Sequence, residues 1–377
     1  MLVKQIGEKR VAWFGNCNQW MQFEEPAWFV YRLWVKGLVM EEIITKCCKK
    51  YGSDDAESRL FVHEIIQKLA GLKSPAQFFG DAYLVDLPES VFLKSPYVVR
   101  NYTILNHTLT FAFESSMLEY SIHPLLAHLE TNESGKGEVY FELFKHRGKF
   151  AIRVTRDQAK TWLFDFPELQ KGRVFIEILN TIYRKVETDW MTIVHGSAIT
   201  DGRSTILFTA PCGGGKSTIA ALLQAQGFQV VSDDMVPIDA KTGKIYPFPT
   251  PISVKEGAVV TLLPLYPDLE NSQLFEYPAQ SKQVRYLTFD HAPQKKGMIN
   301  RAKALIFIRF DPTIDFQIET VSKLDAIKRF NNEAWVSSTP ENARRYINWF
   351  IKLPVYQLTY SNNEKAVEAI NQIFKGE

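Results

Sequence analysis

Cysteine is scarce in this chain: four in 377 residues, at positions 17, 47, 48 and 212. That is too few and too scattered for a disulfide scaffold, and it suits a reducing compartment. Long apolar runs are also lacking. No stretch approaches the roughly 18 residues that span a bilayer, and Met1–Arg10 has no apolar core of the signal-peptide kind. A cytoplasmic location with no membrane partner is the expectation. There is no excess of charge of one sign: 44 Lys and Arg face 42 Asp and Glu, a net charge of +2. Net charge therefore draws in neither nucleic acid nor a membrane surface. His107, His123, His128 and His146 lack ligand spacing with cysteine or acids, so no metal site is expected there.

What is present is a phosphate-binding loop pattern, Ala210-Pro-Cys-Gly-Gly-Gly-Lys216-Ser217, with Ala210 in place of the first glycine. Its glycines let backbone N–H groups turn around a phosphate. Lys216 would reach the β- and γ-phosphates, and Ser217 would ligate Mg²⁺. The context fits. Thr205–Thr209 reads as a buried strand, Lys216–Gln226 as a helix stopped by Gly227, and Phe228–Val231 as a second strand. The nucleotide-binding residues expected are Ala210, Cys212, Gly213, Gly214, Gly215, Lys216, Ser217 and Thr218. Cys212 is either a small residue that fits or an oxidation-sensitive thiol near a helix N-terminus.

The second strand ends in Asp233 and Asp234, at the sheet edge where ligands bind. One carboxylate would hold Mg²⁺, and the other would take a proton from an attacking hydroxyl. Adjacent strand residues face opposite ways, so one residue does not do both. The assignment stays open, with Asp233 beside Ser217 taken for the metal and a lean to Asp234 as base. Met191–Ile199 reads as one strand. Folding about Asp201-Gly202 then sets His195 near Phe208 or Thr209, beside the phosphates. There the imidazole would contact phosphate or tune the Asp pair.

His195-Gly-Ser-Ala, the Ala210–Thr218 loop and Val230-Val-Ser-Asp-Asp-Met-Val-Pro237 together resemble the kinase domain of HPr kinase/phosphorylase and its relatives. The likeness covers residues 190–260 well and the rest of the C-terminal half loosely. It implies a core related to phosphoenolpyruvate carboxykinase and ATP-dependent phosphorylation of a hydroxyl. It implies the same roles for Lys216, Ser217, the Asp pair and His195. The chain departs from true HPr kinases after the Asp pair. Tyr246-Pro-Phe-Pro-Thr-Pro-Ile-Ser-Val-Lys-Glu-Gly257 looks more like the HPr-kinase-related proteins of peptide-modification systems. That sets aside HPr as substrate and leaves phosphorylase activity unsupported.

Residues 1–72 have a different character. Val3–Trp20 reads as short strands, followed by helices over Phe23–Lys36, Met40–Tyr51 and a third capped by Ser53 or Asp54 and running to about Ala70. This order, with Pro26-Ala27, Glu41-Glu42-Ile43 and the Tyr51-Gly52 turn, resembles PqqD-like domains. Those are small winged-helix-type modules that capture the leader of a precursor peptide. A DNA-reading winged helix or a plain packing module is equally compatible with the pattern, though the helices are not basic.

Residues 73–189 read as β-rich, with strands over Tyr97–Phe113, Val139–Phe144 and Phe150–Val154 and a helix over Val174–Lys185. Beyond 190, Ala302–Arg309 and Pro354–Tyr360 read as strands. Ser322–Asn332, a Thr339-capped segment and Asn363–Lys375 read as helices. Ser272–Arg301 is polar and reads as a long loop, either a basic lid over a triphosphate or an ordinary solvated loop. It carries Lys282, Arg285, Lys295, Lys296 and Arg301; Arg285 and, from outside it, Lys255 are the phosphate candidates.

The expected fold is thus α/β: a phosphate-loop core with a mixed sheet over 190–377, a β-rich region over 73–189 packed on it, and a small α+β N-terminal domain. The expected activity is transfer of the γ-phosphoryl of ATP, with Mg²⁺, to Ser or Thr of a peptide or protein. A small-molecule hydroxyl kinase and a non-catalytic nucleotide-gated peptide-binding protein remain the alternatives. The acceptor, the nucleobase and the oligomeric state are not legible.

Overall fold

Alternation of short apolar strands with amphipathic helices produces a mixed α/β molecule. The computed structural model describes residues 1–72, 84–88, 91, 93–132, 137–277, 282–289 and 301–376. Lys295, Lys296 and the boundary expected at 72/73 lie outside the described residues. The chain divides into two compact units that do not follow chain order. One comprises Met1–Gln77, Ser322–Asn332 and Val336–Lys352; the other comprises Phe78–Val321, Glu333–Trp335 and Leu353–Glu377.

In the larger unit, Thr205–Thr209 is buried throughout and lies inside a six-stranded sheet. The order is Gln229–Asp233, Ser197–Thr200, Thr205–Thr209, Ala302–Phe310, Val355–Tyr360, Phe316–Thr320. Ser197–Thr200 runs antiparallel to both of its neighbours, whereas Thr205–Thr209, Ala302–Phe310 and Val355–Tyr360 are mutually parallel. Apolar residues of this sheet pack against the helices Lys216–Ala225, Glu256–Leu262 and Asn363–Lys375. A second six-stranded sheet carries, in order, Leu84–Val85, Ala159–Phe164, Lys149–Thr155, Val139–His146, His107–Phe113 and Val98–Ile104. The helix Pro167–Ile182 packs on it, and the same buried cluster takes in Trp190, Ile193 and Phe248. The loop strand and the helix after the loop belong to the first sheet's cluster, through Ile206, Phe208, Ala210 and Ile219, and burial of that apolar surface, at roughly 25 cal/mol per Å², stabilises the frame under the loop.

Two expectations are corrected. Met191–Ile199 is not one strand: Trp190–Val194 pairs with Val236–Asp239, and Ser197–Thr200 belongs to the six-stranded sheet. The break falls at His195-Gly196, where His195 N–H still donates to Glu333 O at 2.7 Å before the chain passes to the other sheet. The polar stretch after Ser272 is not wholly a loop. Phe275–Tyr277 and Lys282–Leu287 pair with each other, and Lys282–Leu287 pairs with Ile252–Lys255. Val284 is the one buried residue of Lys282–Leu287, too little to mark a strand inside a polar segment.

The smaller unit joins an antiparallel sheet, Leu2–Ile6, Lys9–Phe14 and Gln19–Phe23, to the helices Glu25–Val35, Met40–Tyr51 and Asp55–Gly71. Asp54 caps the third helix by accepting from Glu57 N–H. The helices Lys323–Phe330 and Pro340–Phe350 complete this unit from far along the chain. Trp20 stacks at 5.3 Å from Tyr346, Lys4 Nζ reaches Asn348 Oδ1 at 3.1 Å, and Asn18 Nδ2 donates to Val336 O at 2.8 Å. Residues 1–77 expressed alone are therefore expected to lose cooperative folding, and covalent addition of Ser322–Lys352 is expected to restore it. Amide dispersion in a two-dimensional NMR spectrum checks this; a well-dispersed spectrum from 1–77 alone would contradict it.

Candidate functional site

The strand Thr205–Thr209 delivers the chain into the glycine-rich loop. Gly213 and Gly215 take φ of 88° and 100°, backbone that a side chain strongly disfavours. Gly215 is the N-cap of the helix Lys216–Ala225 and offers no side-chain cap, so the first N–H groups of that helix are left for another acceptor. Lys216 is only 8% exposed and donates from Nζ to Ala210 O at 2.6 Å, closing the loop on itself. Burial pushes its pKa down, against the charges of Glu333, Asp234 and Asp233. The loop walls a cavity of about 410 Å³ that His195, Asp234, Lys255 and Lys282 also line, a size suited to a nucleotide-scale ligand.

Asp233 and Asp234 point to different surroundings. Asp233 ends its strand at 1% exposure. It accepts from Ser197 Oγ at 2.5 Å, Ser217 Oγ at 2.9 Å and Ser253 N–H at 3.2 Å. Burial pushes its carboxyl up, and those hydrogen bonds resist the rise while the Asp234 charge adds to it. Asp234 leaves the strand with φ of 70°, a left-handed conformation that Asp tolerates better than most residues. That turn brings its carboxylate to the cavity, 3.1 Å from His195 Nε2. Its recess opposes ionisation, but the His195 hydrogen bond and the charges of His195, Lys171 and Lys282 outweigh this. The carboxyl is held below the ordinary range.

His195 lies between two carboxylates. Its Nε2 faces Asp234, and its Nδ1 faces Glu333 Oε2 at 3.2 Å. In the protonated ring both nitrogens donate, which suits this array. The Asp234 hydrogen bond raises the imidazole pKa, burial and Lys216 resist, and Glu333 adds to the rise. Thr209 Oγ1 donates to His195 O at 3.2 Å, so the residue does stand beside the loop entrance. The turn needs Gly196, because a Cβ there would sit 2.3 Å from Phe208 O.

Of the expected residues, Cys212 through Thr218, His195 and Asp234 line one cavity, while Asp233 stands behind Ser217 and Ala210 accepts from Lys216. Arg285 does not join them: its guanidinium donates to Ser272 O and faces Glu256 at 3.8 Å. Lys255 does line the cavity, and its Nζ donates to Cys212 Sγ at 3.1 Å, a bond that holds the thiol below its ordinary pKa. Glu333 escaped the sequence reading altogether. It lies 138 residues from His195 between two helices, and no motif marks it. Ser197 was visible only as a small residue after His195, and Ser253 acts through its backbone. Among the described residues no group of three or more His, Cys, Asp or Glu is placed to hold a metal ion. The chain matches no protein-family model and no curated protein.

Three outcomes are expected. Asp234→Asn should lower the His195 pKa toward 6.5, read from imidazole resonances, because it removes the largest cause of the rise. By linkage the His195 contribution to stability is full below 6.5 and fades as pH rises through the raised value, so the wild-type advantage over His195→Gln should shrink toward alkaline pH. Gly196→Ala should cost about 1–3 kcal/mol in urea unfolding through overpacking against Phe208; an unchanged midpoint would contradict the close approach.

Proposed function

We propose that this chain is a kinase that transfers the γ-phosphoryl of ATP to a hydroxyl. The observation that carries the reading is the convergence of a glycine-rich loop, its lysine and Asp234 on one cavity, with Asp233 held behind Ser217. The reaction consumes a hydroxyl and ATP. A phosphorus–oxygen bond forms to the acceptor, the bond to the β-phosphate oxygen breaks, and the acceptor proton is released. Loop N–H groups and the helix N-terminus bind the phosphates. Lys216 exchanges Ala210 O for phosphate oxygens and offsets their charge.

Asp233 and Ser217 suit a hard divalent cation: one carboxylate and one hydroxyl lie 2.9 Å apart, and the buried carboxylate gains from a nearby positive charge. Mg²⁺ held there would screen the phosphate oxygens. Asp234 is the candidate acceptor of the hydroxyl proton, since its carboxylate faces the cavity while Asp233 is engaged by three donors. With its pKa depressed, it orients the hydroxyl more than it strips the proton, which a loose phosphoryl-transfer transition state permits. His195, supported by Glu333, holds the Asp234 carboxylate in place. Ser or Thr of a peptide or protein is the proposed acceptor, supported by the resemblance of the sequence of residues 1–72 to PqqD-like domains.

The test is phosphate transfer from ATP to a pool of peptides, proteins and metabolites, followed by mass spectrometry. Lys216→Ala is expected to abolish transfer. Asp234→Asn is expected to lower kcat by roughly 10²–10⁴-fold with nucleotide affinity retained. A full rate in Asp234→Asn would remove it as the base, and phosphate on a metabolite alone would overturn the peptide acceptor.

A further inference from the structure

The sheet order divides the cavity into two chemically different ends. His195 and Asp234 stand on the side of Ser197–Thr200 and Gln229–Asp233. On the other side of the loop strand lie Ala302–Phe310 and Val355–Tyr360. The residues that these strands and the following helix give the cavity are Phe310, Tyr360 and Asn363, and none is charged. Three strand spacings, roughly 14 Å, separate the Asp233 strand from the Phe310 strand.

Phe310 ends its strand where burial gives way to exposure, at Arg309 and Phe310. Ile308 and Phe307 are each 2% exposed, whereas Phe310 is 51% exposed. Its position is nevertheless well determined: its N–H donates to Gly214 O at 3.2 Å, and its ring meets Tyr360 edge-on, with centroids 6.0 Å apart at 87°. Tyr360 is buried, and its hydroxyl oxygen would lie 3.4 Å from a Cβ at Gly215. An aromatic ring is thus held against the phosphate loop with half its surface bare.

We propose that Phe310 is the stacking platform for the nucleobase of the nucleotide, with Asn363 the polar group of that subsite. The assignment rests on the kinase reading of the same cavity. An acceptor hydroxyl must come within hydrogen-bond reach of Asp234, so it enters at the titratable end. A triphosphate lying over the loop then directs its nucleoside toward the uncharged end. Base stacking on an aromatic ring is worth about 1–3 kcal/mol, roughly 5- to 150-fold in affinity. It is tolerant of base identity because every base offers a π-face.

The experiment is equilibrium binding by calorimetry of Mg-ATP and, separately, of inorganic tripolyphosphate to the full-length wild type, Phe310→Ala and Phe310→Trp. Expected is at least a fivefold loss of ATP affinity in Phe310→Ala, recovery in Phe310→Trp, and tripolyphosphate affinity unchanged in all three. Unchanged tripolyphosphate binding also shows that the variants are folded. Wild-type ATP binding that survives Phe310→Ala intact overturns the subsite and leaves the phosphate site standing. Equal affinity for ATP and tripolyphosphate in the wild type does the same. A wild type that binds neither ligand overturns both readings. A parallel loss of ATP and tripolyphosphate in Phe310→Ala, unrepaired by Phe310→Trp, makes Phe310 a prop for the loop and overturns the subsite.

Discussion

The buried carboxylate of Asp233 is the constraint around which the site is arranged. A charge at 1% exposure is costly unless donors surround it. Here Ser197 from one strand, Ser217 from the first turn of the loop helix and the backbone of Ser253 from a third element supply them. Hydrogen bonds to a charged group are worth about 1.5–3 kcal/mol each. Removing one partner leaves the others aimed at an under-satisfied charge. Three elements distant in sequence are thereby held in fixed relation. Thr250 reinforces the strand end by donating to Asp233 O at 2.8 Å.

One backbone reversal turns this single anchor into a two-part site. Had the strand continued extended, Asp234 would have followed ordinary alternation. Its left-handed φ redirects it to the cavity, where His195 meets it. A non-glycine residue in that region costs of order 1–3 kcal/mol, and the His195 hydrogen bond offsets part of this. The consequence is a pair of neighbouring carboxylates with opposite pKa displacement, one raised by burial and one depressed by cations. Divergent environments for adjacent acids are what separate duties require. His195 reaches this position because the chain breaks from one sheet to another at Gly196, where the lack of a Cβ admits Phe208 O.

Chain order and spatial order disagree in a way that matters for how the protein is dissected. Two helices following the strand Phe316–Thr320 belong to the unit that contains the N-terminal sheet. The short stretch between them, Glu333–Trp335, belongs to the other unit and supplies Glu333 to His195 and Trp335 O to Thr192. A cut at any single position therefore leaves one unit without part of its core.

Local features were legible in the sequence because their causes are local. The strand Thr205–Thr209, the glycine loop, the helix that follows and the Asp201-Gly202 turn are each dictated by neighbouring residues. So are the caps at Asp54 and Thr339, since a cap answers N–H groups three residues on. The closing helix Asn363–Lys375 declares itself by apolar spacing. What required the tertiary structure is everything whose cause is remote. The break at His195-Gly196 is set by a carbonyl on Phe208 and one on Glu333. The strands within 275–287 are set by pairing with Ile252–Lys255. The turning-away of Arg285 is set by Ser272 and Glu256. Glu333 and Phe310 acquire meaning only from the neighbours that folding brings to them. Sequence by itself determined which chemistry the loop and the aspartates can perform, because that depends on residue type and short spacing. Only the tertiary structure decided which aspartate is buried and which faces the cavity, because that depends on partners tens of residues away along the chain.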